Sequence, residues 1–302
     1  MKARLNLTQL ITFTFFCCLL TFISCKKETS GTGTDQEQET ASRTSGESDG
    51  EAEGIFSSIF DDAMGANNDV GVAGSGIFYG RTDTLVPVPR CFTVTITHPN
   101  NTPFPTVIVV DFGTTGCPGP DGHVRRGKVI TEYTNRLIIP GAIATTTFNG
   151  YFVDDVKVDG THKISNIGTI SPLTHKYKAE VFNGKLTKPN GDYTEWNSTK
   201  TITQIEGLGT PDMPRDDVFK IEGSAYGRVK KGNLLVGWES NIIEPLIKRF
   251  TCRWIVKGRI RTVRVNTPAN GPWVAILDFG NGDCDDHATV IINGRTIQIT
   301  LR

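Results

Sequence analysis

The sequence is short of most features that would announce a function. Its longest apolar run, Leu10 to Ile23, is shorter than the about 20 residues a membrane-spanning helix needs and is interrupted by Thr12, Thr14 and Thr21. There is no Cys-x-x-Cys, which argues against zinc. There is no His-Glu-x-x-His and no Gly-x-Ser-x-Gly. Asp-Phe-Gly occurs twice, at Asp111–Gly113 and Asp278–Gly280, but the phosphate loop and His-Arg-Asp segment of a protein kinase are missing. Neither sign of charge prevails: 32 Lys and Arg meet 32 Asp and Glu. With no basic block, no nucleic-acid partner is expected. After residue 70 no long helical pattern appears, which excludes the crossovers a parallel sheet requires.

What is present begins at the N-terminus. Lys2 and Arg4 precede the apolar run, whose centre is Ile11, Phe13, Phe15, Phe16, Leu19 and Leu20, and Ser24-Cys25 closes it. This layout reads as a secretory signal over 1–24. The small residue before cysteine resembles a bacterial lipoprotein signal, in which Cys25 is acylated and becomes the new N-terminus.

Residues 25–54 read as an acidic, disordered tether, with Ala41 and Ala52 as the only apolar residues from Lys26 to Gly54. Eight acids and one base, Arg43, fall between Glu28 and Glu53. From Gly54 onward the balance is 27 bases (32 less 5) to 24 acids (32 less 8). Ile55, Phe56, Ile59, Phe60 and Met64 recur at helical spacing between Gly54 and Gly65, predicting a short amphipathic helix that docks on a following body.

That body, 55–302, reads as all-β. Short runs rich in Val, Ile, Thr and aromatics are separated by Gly, Asn, Asp and Pro: Phe92–Thr97, Thr106–Phe112, Lys128–Tyr133, Lys176–Phe182, Thr199–Ile205, Trp254–Val265, Trp273–Phe279 and Ala288–Ile292. Asn183-Gly184 and Asn293-Gly294 are hairpin signals, and Asn190-Gly191 is a third that follows Pro189. The expected architecture is an antiparallel meander, a sandwich or a rolled sheet.

Two segments echo each other. Asp111-Phe112-Gly113 precedes Cys117, and Asp278-Phe279-Gly280 precedes Cys284 at the same spacing. Cys91 and Cys252 stand earlier at strand starts. Gly127-Lys128 answers Gly294-Arg295, and Gly74-Ser75 with Tyr79-Gly80-Arg81 answers Gly223–Arg228. Asp154–Lys157 against Asp216–Lys220 is a looser echo that needs an inserted residue. The shared order predicts related units at about 69–139 and 216–302 around a middle meander, 140–215. Of the three pairings open to four exported cysteines, the duplication selects Cys91–Cys117 and Cys252–Cys284.

Three chemistries are open to these residues. Asp283, Asp285 and Asp286, beside His287, are a weak candidate for an oxygen-preferring cation. Adjacent strand residues point to opposite faces, which favours a solvated turn. Asp111 and Asp278 would serve as a glycosidase pair only if the two turns met. The histidines 98, 123, 162, 175 and 287 are scattered. Trp196, Trp238, Trp254 and Trp273 suit a core as well as a sugar or lipid site. No catalytic residue and no cofactor are assigned.

Ser24-Cys25, the acidic segment, the strand–Asp-Phe-Gly–Cys series and the Asn293-Gly294 hairpin together resemble a group of uncharacterised cell-envelope lipoproteins of Bacteroidetes-type Gram-negative bacteria. The resemblance implies an outer-membrane lipid anchor and carries no activity. The expected role is a non-enzymatic binding or structural module whose partner is an envelope protein, glycan or lipid. The alternatives are a carrier of an apolar ligand and a carboxylate-dependent glycan hydrolase.

Overall fold

In the computed structural model, residues 35–71, 91–119, 122–210, 216–265 and 274–301 are described, with side chains of the N-terminal helix for 36–64. The signal segment, Cys25, Gly74–Arg81 and Trp273 lie outside the described residues.

Helix α1, Asp35–Gly71, comes first. The strands that follow are β1 (Thr93–Thr97), β2 (Thr106–Asp111), β3 (Cys117–Pro118), β4 (Val124–Tyr133), β5 (Ile143–Val153), β6 (Val156–Asn166), β7 (Thr169–Ile170), β8 (Leu173–Thr174) and β9 (Lys176–Thr187). They continue with β10 (Tyr193–Glu206), β11 (Val218–Lys231), β12 (Leu234–Arg249), β13 (Ile255–Arg264), β14 (Val274–Asn281), β15 (His287–Ile292) and β16 (Arg295–Thr300). One antiparallel sheet takes them almost in chain order, from β1 at one edge to β16 at the other. The β3 strand pairs beside β4, and β7–β8 form a separate small hairpin. The all-β expectation is met.

The sheet rolls around the helix. Asp49 of α1 meets Trp196 on β10, while its neighbour Gly50 packs on Leu277 of β14. Those strands are four steps apart, about 19 Å on a flat sheet, whereas a helix is only about 10–12 Å across. Likewise Asp61 meets Lys248 on β12 and the Ala63 carbonyl accepts from the Tyr133 hydroxyl on β4 at 2.7 Å. Burial between Ala41 and Met64 covers about 250° of the circumference at about 100° per residue, far more than a surface helix hides. Phe60 and Met64 join one core cluster with Tyr133, Tyr177, Phe219, Leu246 and Leu277. Ala52, Phe56 and Ile59 join another with Phe112, Tyr151, Leu186, Trp196 and Trp238.

This corrects the reading of 35–54 as disordered tether. The segment is helix, and Ala41, Ser42, Ser45, Ser48, Asp49, Ala52 and Glu53 are all buried. Acids at 35, 37 and 39 suit the positive end of the helix dipole, and Arg43 pairs with Glu47 one turn on. Gly46, Gly50 and Gly54 would each cost an isolated helix about 1 kcal/mol. Gly50, however, lets β14 approach closely: a Cβ there would stand 2.7 Å from Leu277, whereas one on Gly46 would meet Ala275 and Val290 at ordinary contact distance. Contact with the sheet, not propensity, holds this helix.

Turn chemistry gives a second correction. Asn183-Gly184 is not a hairpin. It is a bulge inside β9, where the register with β10 slips between Trp196 and Ser198 and Asn183 N donates to Asn197 Oδ1. The β9–β10 turn lies at Pro189–Gly191, closed by Lys188 N donating to Asp192 O at 2.8 Å. Asn293-Gly294 is the predicted two-residue hairpin, with φ of 50° and 77°.

The cysteines stand as the duplication predicts. Cys91 faces Cys117 and Cys252 faces Cys284, with Cα atoms 5.4 and 5.8 Å apart. Each pair ties the approach to a hairpin's first strand to the segment after its second. Asp111 and Asp278 also match, each accepting from the N–H of the glycine two residues on at 2.9 Å. The Gly127-Lys128 echo fails: Gly127 lies within β4 opposite the first turn, whereas Gly294 turns the chain between β15 and β16. The Asp154/Asp216 echo fails too, joining a β5–β6 turn to the approach to β11.

Candidate binding cleft and filled interior

Inside the roll, acidic groups of α1 meet polar groups from the strands. Trp196 Nε1 donates to Asp49 Oδ1 at 2.8 Å. Lys200 pairs with Glu53 at 2.9 Å, and Lys248 with Asp61 at 3.1 Å. Phe56 stacks on Trp196, ring centroids 5.4 Å apart. From Asp49 to Asp61 the space between helix and sheet is therefore filled by packed and paired side chains.

The carboxylates singled out in the sequence are each engaged by local partners. Asp111 pairs with Lys128, whose contact and the Gly113 N–H hold its carboxyl below the usual range. Asp278 pairs with Arg259 at 2.7 Å. Each is engaged within its own neighbouring strands. Asp285 Oδ1 accepts from the His287 N–H and Asp286 lies 3.3 Å from the His287 ring. Among the described residues, no group of three or more His, Cys, Asp or Glu is placed to hold a metal. His98 bonds to Thr106, His123 to Asp154 and His175 to Gln204, at separate places. Trp196 and Trp238 are core, and Trp254 lies under the Arg253 guanidinium at 4.0 Å.

Two buried groups set a pH response. His162 lies inside the roll beside Phe56, and burial pushes its imidazole down to about 4. Asp217, accepting from Gln204 at 2.6 Å, is raised to about 7, first by burial and then by Asp216. Between about pH 4 and 6.5 the unfolded chain protonates His162 while the fold does not, so stability rises with pH. Over the same window the fold protonates Asp217 while the unfolded chain does not, so stability falls. Each slope is on the order of 1 kcal/mol per pH unit, and they oppose each other. Urea midpoints at pH 4.5 and 6.5 should therefore nearly agree for the wild type. They should fall with pH in His162→Phe and rise in Asp217→Asn; variants as flat as the parent would refute the assignment.

The roll opens beside its last strand. A cleft of about 510 Å³ lies between β16 (Gln298, Ile299, Thr300, with Leu301), the outward stripe of α1 (Arg43, Glu47, Glu51), the β9–β10 turn (Lys188, Asp192) and the β11–β12 turn (Lys230, Lys231). Arg43 pairs with Glu47 and Lys188 with Glu51 at 2.9 Å. The Gly232 N–H and the Asn190 amide hold the Asp192 carboxyl below its ordinary range, with smaller help from Lys230 and Lys188. A second cavity of similar size lies around Tyr226, Arg228, Leu235 and Arg264.

Residue types alone gave no sign of the first cleft, because its walls come from four distant segments. One signal was available: from Thr296 to Thr300 the final strand has neither charge nor proline, unusual for an edge. Comparison of the chain with protein-family models, with curated proteins and with solved structures found no match.

Proposed function

We propose that this protein is an envelope lipoprotein, anchored through Cys25, that acts as a non-enzymatic binding module. The observation that carries the choice of module is the filled roll: α1 occupies the interior, where a carrier would hold its apolar ligand. The hydrolase reading loses its support in the same way, since Asp111 and Asp278 are each committed to a local base. Binding then falls to the outside, to a sheet face or edge. The anchor rests on the sequence; among the described residues, no helix is long and apolar enough to cross a membrane.

The test is metabolic labelling with a fatty-acid probe together with membrane fractionation. The wild type should take the label and sediment with membranes, and Cys25→Ala should do neither. A Cys25→Ala protein that stays in the pellet would overturn the anchor. A lipid co-purifying in native mass spectra of the released protein would overturn the module in favour of a carrier.

A further inference from the structure

Resting on the module reading, we propose that the outer edge of β16, which no described strand pairs, and the cleft beside it bind an extended, carboxylate-bearing peptide by strand addition. The register fixes which backbone groups are available. Leu301 N donates to Asp286 O at 2.7 Å, and β16 pairs with β15 without interruption from Thr300↔His287 to Arg295↔Ile292. In an antiparallel ladder, hydrogen-bonded and non-hydrogen-bonded pairs alternate. Residues 301, 299, 297 and 295 therefore bond inward to β15. The N–H and C=O groups of Thr296, Gln298 and Thr300 point away from the sheet, at the two-residue spacing an added strand uses.

Three features make this edge a receptor rather than an accident of the fold. The outward stretch Thr296–Thr300 carries none of the usual guards against pairing: no charge, no proline, no bulge. Gln298 and Thr300 line the cleft, so an incoming strand has a far wall as well as an edge. Finally, the lining holds four bases against three acids. Lys231 is exposed and has no carboxylate partner among the described residues. A second copy of this chain fits worse. Its β15 would follow its β16 about 4.8 Å further out, toward the turns of Lys188–Asp192 and Lys230–Lys231 that form the far wall.

The probe is a fluorescein-labelled heptapeptide, Thr-Val-Glu-Val-Glu-Val-Thr, titrated into the protein by fluorescence polarisation. Saturable binding is expected, with amide exchange slowed at Gln298 and Thr300 but not at Ile297 or Ile299. Methylating alternate peptide nitrogens should weaken binding at least tenfold with the protein untouched. Gln298→Pro removes the outward N–H together with the side-chain amide that accepts from the Thr289 hydroxyl at 3.2 Å; it should do the same, while Gln298→Ala, which loses the amide alone, should bind as the wild type. Lys231→Glu should weaken the acidic peptide about fivefold and favour a version with Lys in place of Glu. Equal binding of the methylated peptide, protection on another strand, or a dimer in sedimentation that Gln298→Pro splits would each overturn the proposal. If the peptide fails while Cys25→Ala still leaves the membrane, this site is lost and the module reading stands. If Cys25→Ala stays in the pellet, the anchor is lost whatever the peptide does.

Discussion

Lys200→Met should destabilise the protein by about 3–5 kcal/mol, the usual cost of stranding one member of a buried ion pair. Glu53 and Lys200 keep only 5% side-chain exposure each and meet at 2.9 Å. The lysine stem also lies near the Trp196 ring, its Nζ 5.9 Å from the centroid, so methionine preserves the packing and deletes the charge. The carboxylate left behind stays buried without its cation. Adding Glu53→Leu should restore most of the loss, because a buried pair replaced by apolar groups of similar size is often neutral. Guanidinium titrations of the two single variants and the double one, with disulfides intact, give the coupling. A Lys200→Met cost below about 1 kcal/mol would mean that the pair is solvated and that α1 is not enclosed as described.

Gly127→Ala should cost a similar amount, about 2–5 kcal/mol, for a steric reason. Gly127 sits at a φ of +83°, where an L side chain loses about 1–2 kcal/mol. An added Cβ would fall 1.9 Å from the Gly150 carbonyl oxygen, which is backbone and cannot swing aside. Relief requires β4 and β5 to part at the register slip between Arg126 and Lys128, and forced repacking of that kind adds about 1–3 kcal/mol. The same residue donates to Gly113 O at 2.7 Å and accepts from Phe112 N at 2.9 Å, so the Asp-Phe-Gly turn should loosen with it. Amide exchange at Phe112 and Gly127 should accelerate more than at Gln204 or Phe219. Gly232→Ala is the control: its φ is also positive, at +59°, but no atom lies near its missing Cβ. Gly127→Ala behaving no worse than Gly232→Ala would refute the close approach.

These two sites show where the sequence could be read and where it could not. Strands with alternating Val, Ile and Thr were visible because their pattern is local: Phe92–Thr97 and Ala288–Ile292 match β1 and β15 to within a residue. The Cys91–Cys117 and Cys252–Cys284 pairs were visible because the two series share an order. The first half of α1 was not, because its buried surface is Ser, Gly, Ala, Asp and Glu, a composition that ordinarily stays solvated. What orders it lies far along the chain: Trp196 is 147 positions beyond Asp49 and Arg295 is 256 beyond Glu39. Asn183-Gly184 misled for a related reason. A positive φ at asparagine serves a bulge as well as a hairpin, and only the strand across from it decides which. Of the candidate cleft, the uncharged last strand was legible, and the bases facing it were not.

The strand order has a consequence for assembly. Every principal pairing in the sheet joins near neighbours in the chain, so hairpins should zip together with little loop-closure penalty, whereas the helix at the beginning needs strands from the far end. A polypeptide emerging amino-end first therefore synthesises its own filling before the vessel that encloses it. The filling should close in last, and the low apolar content of residues 35–54 should keep it soluble during the wait.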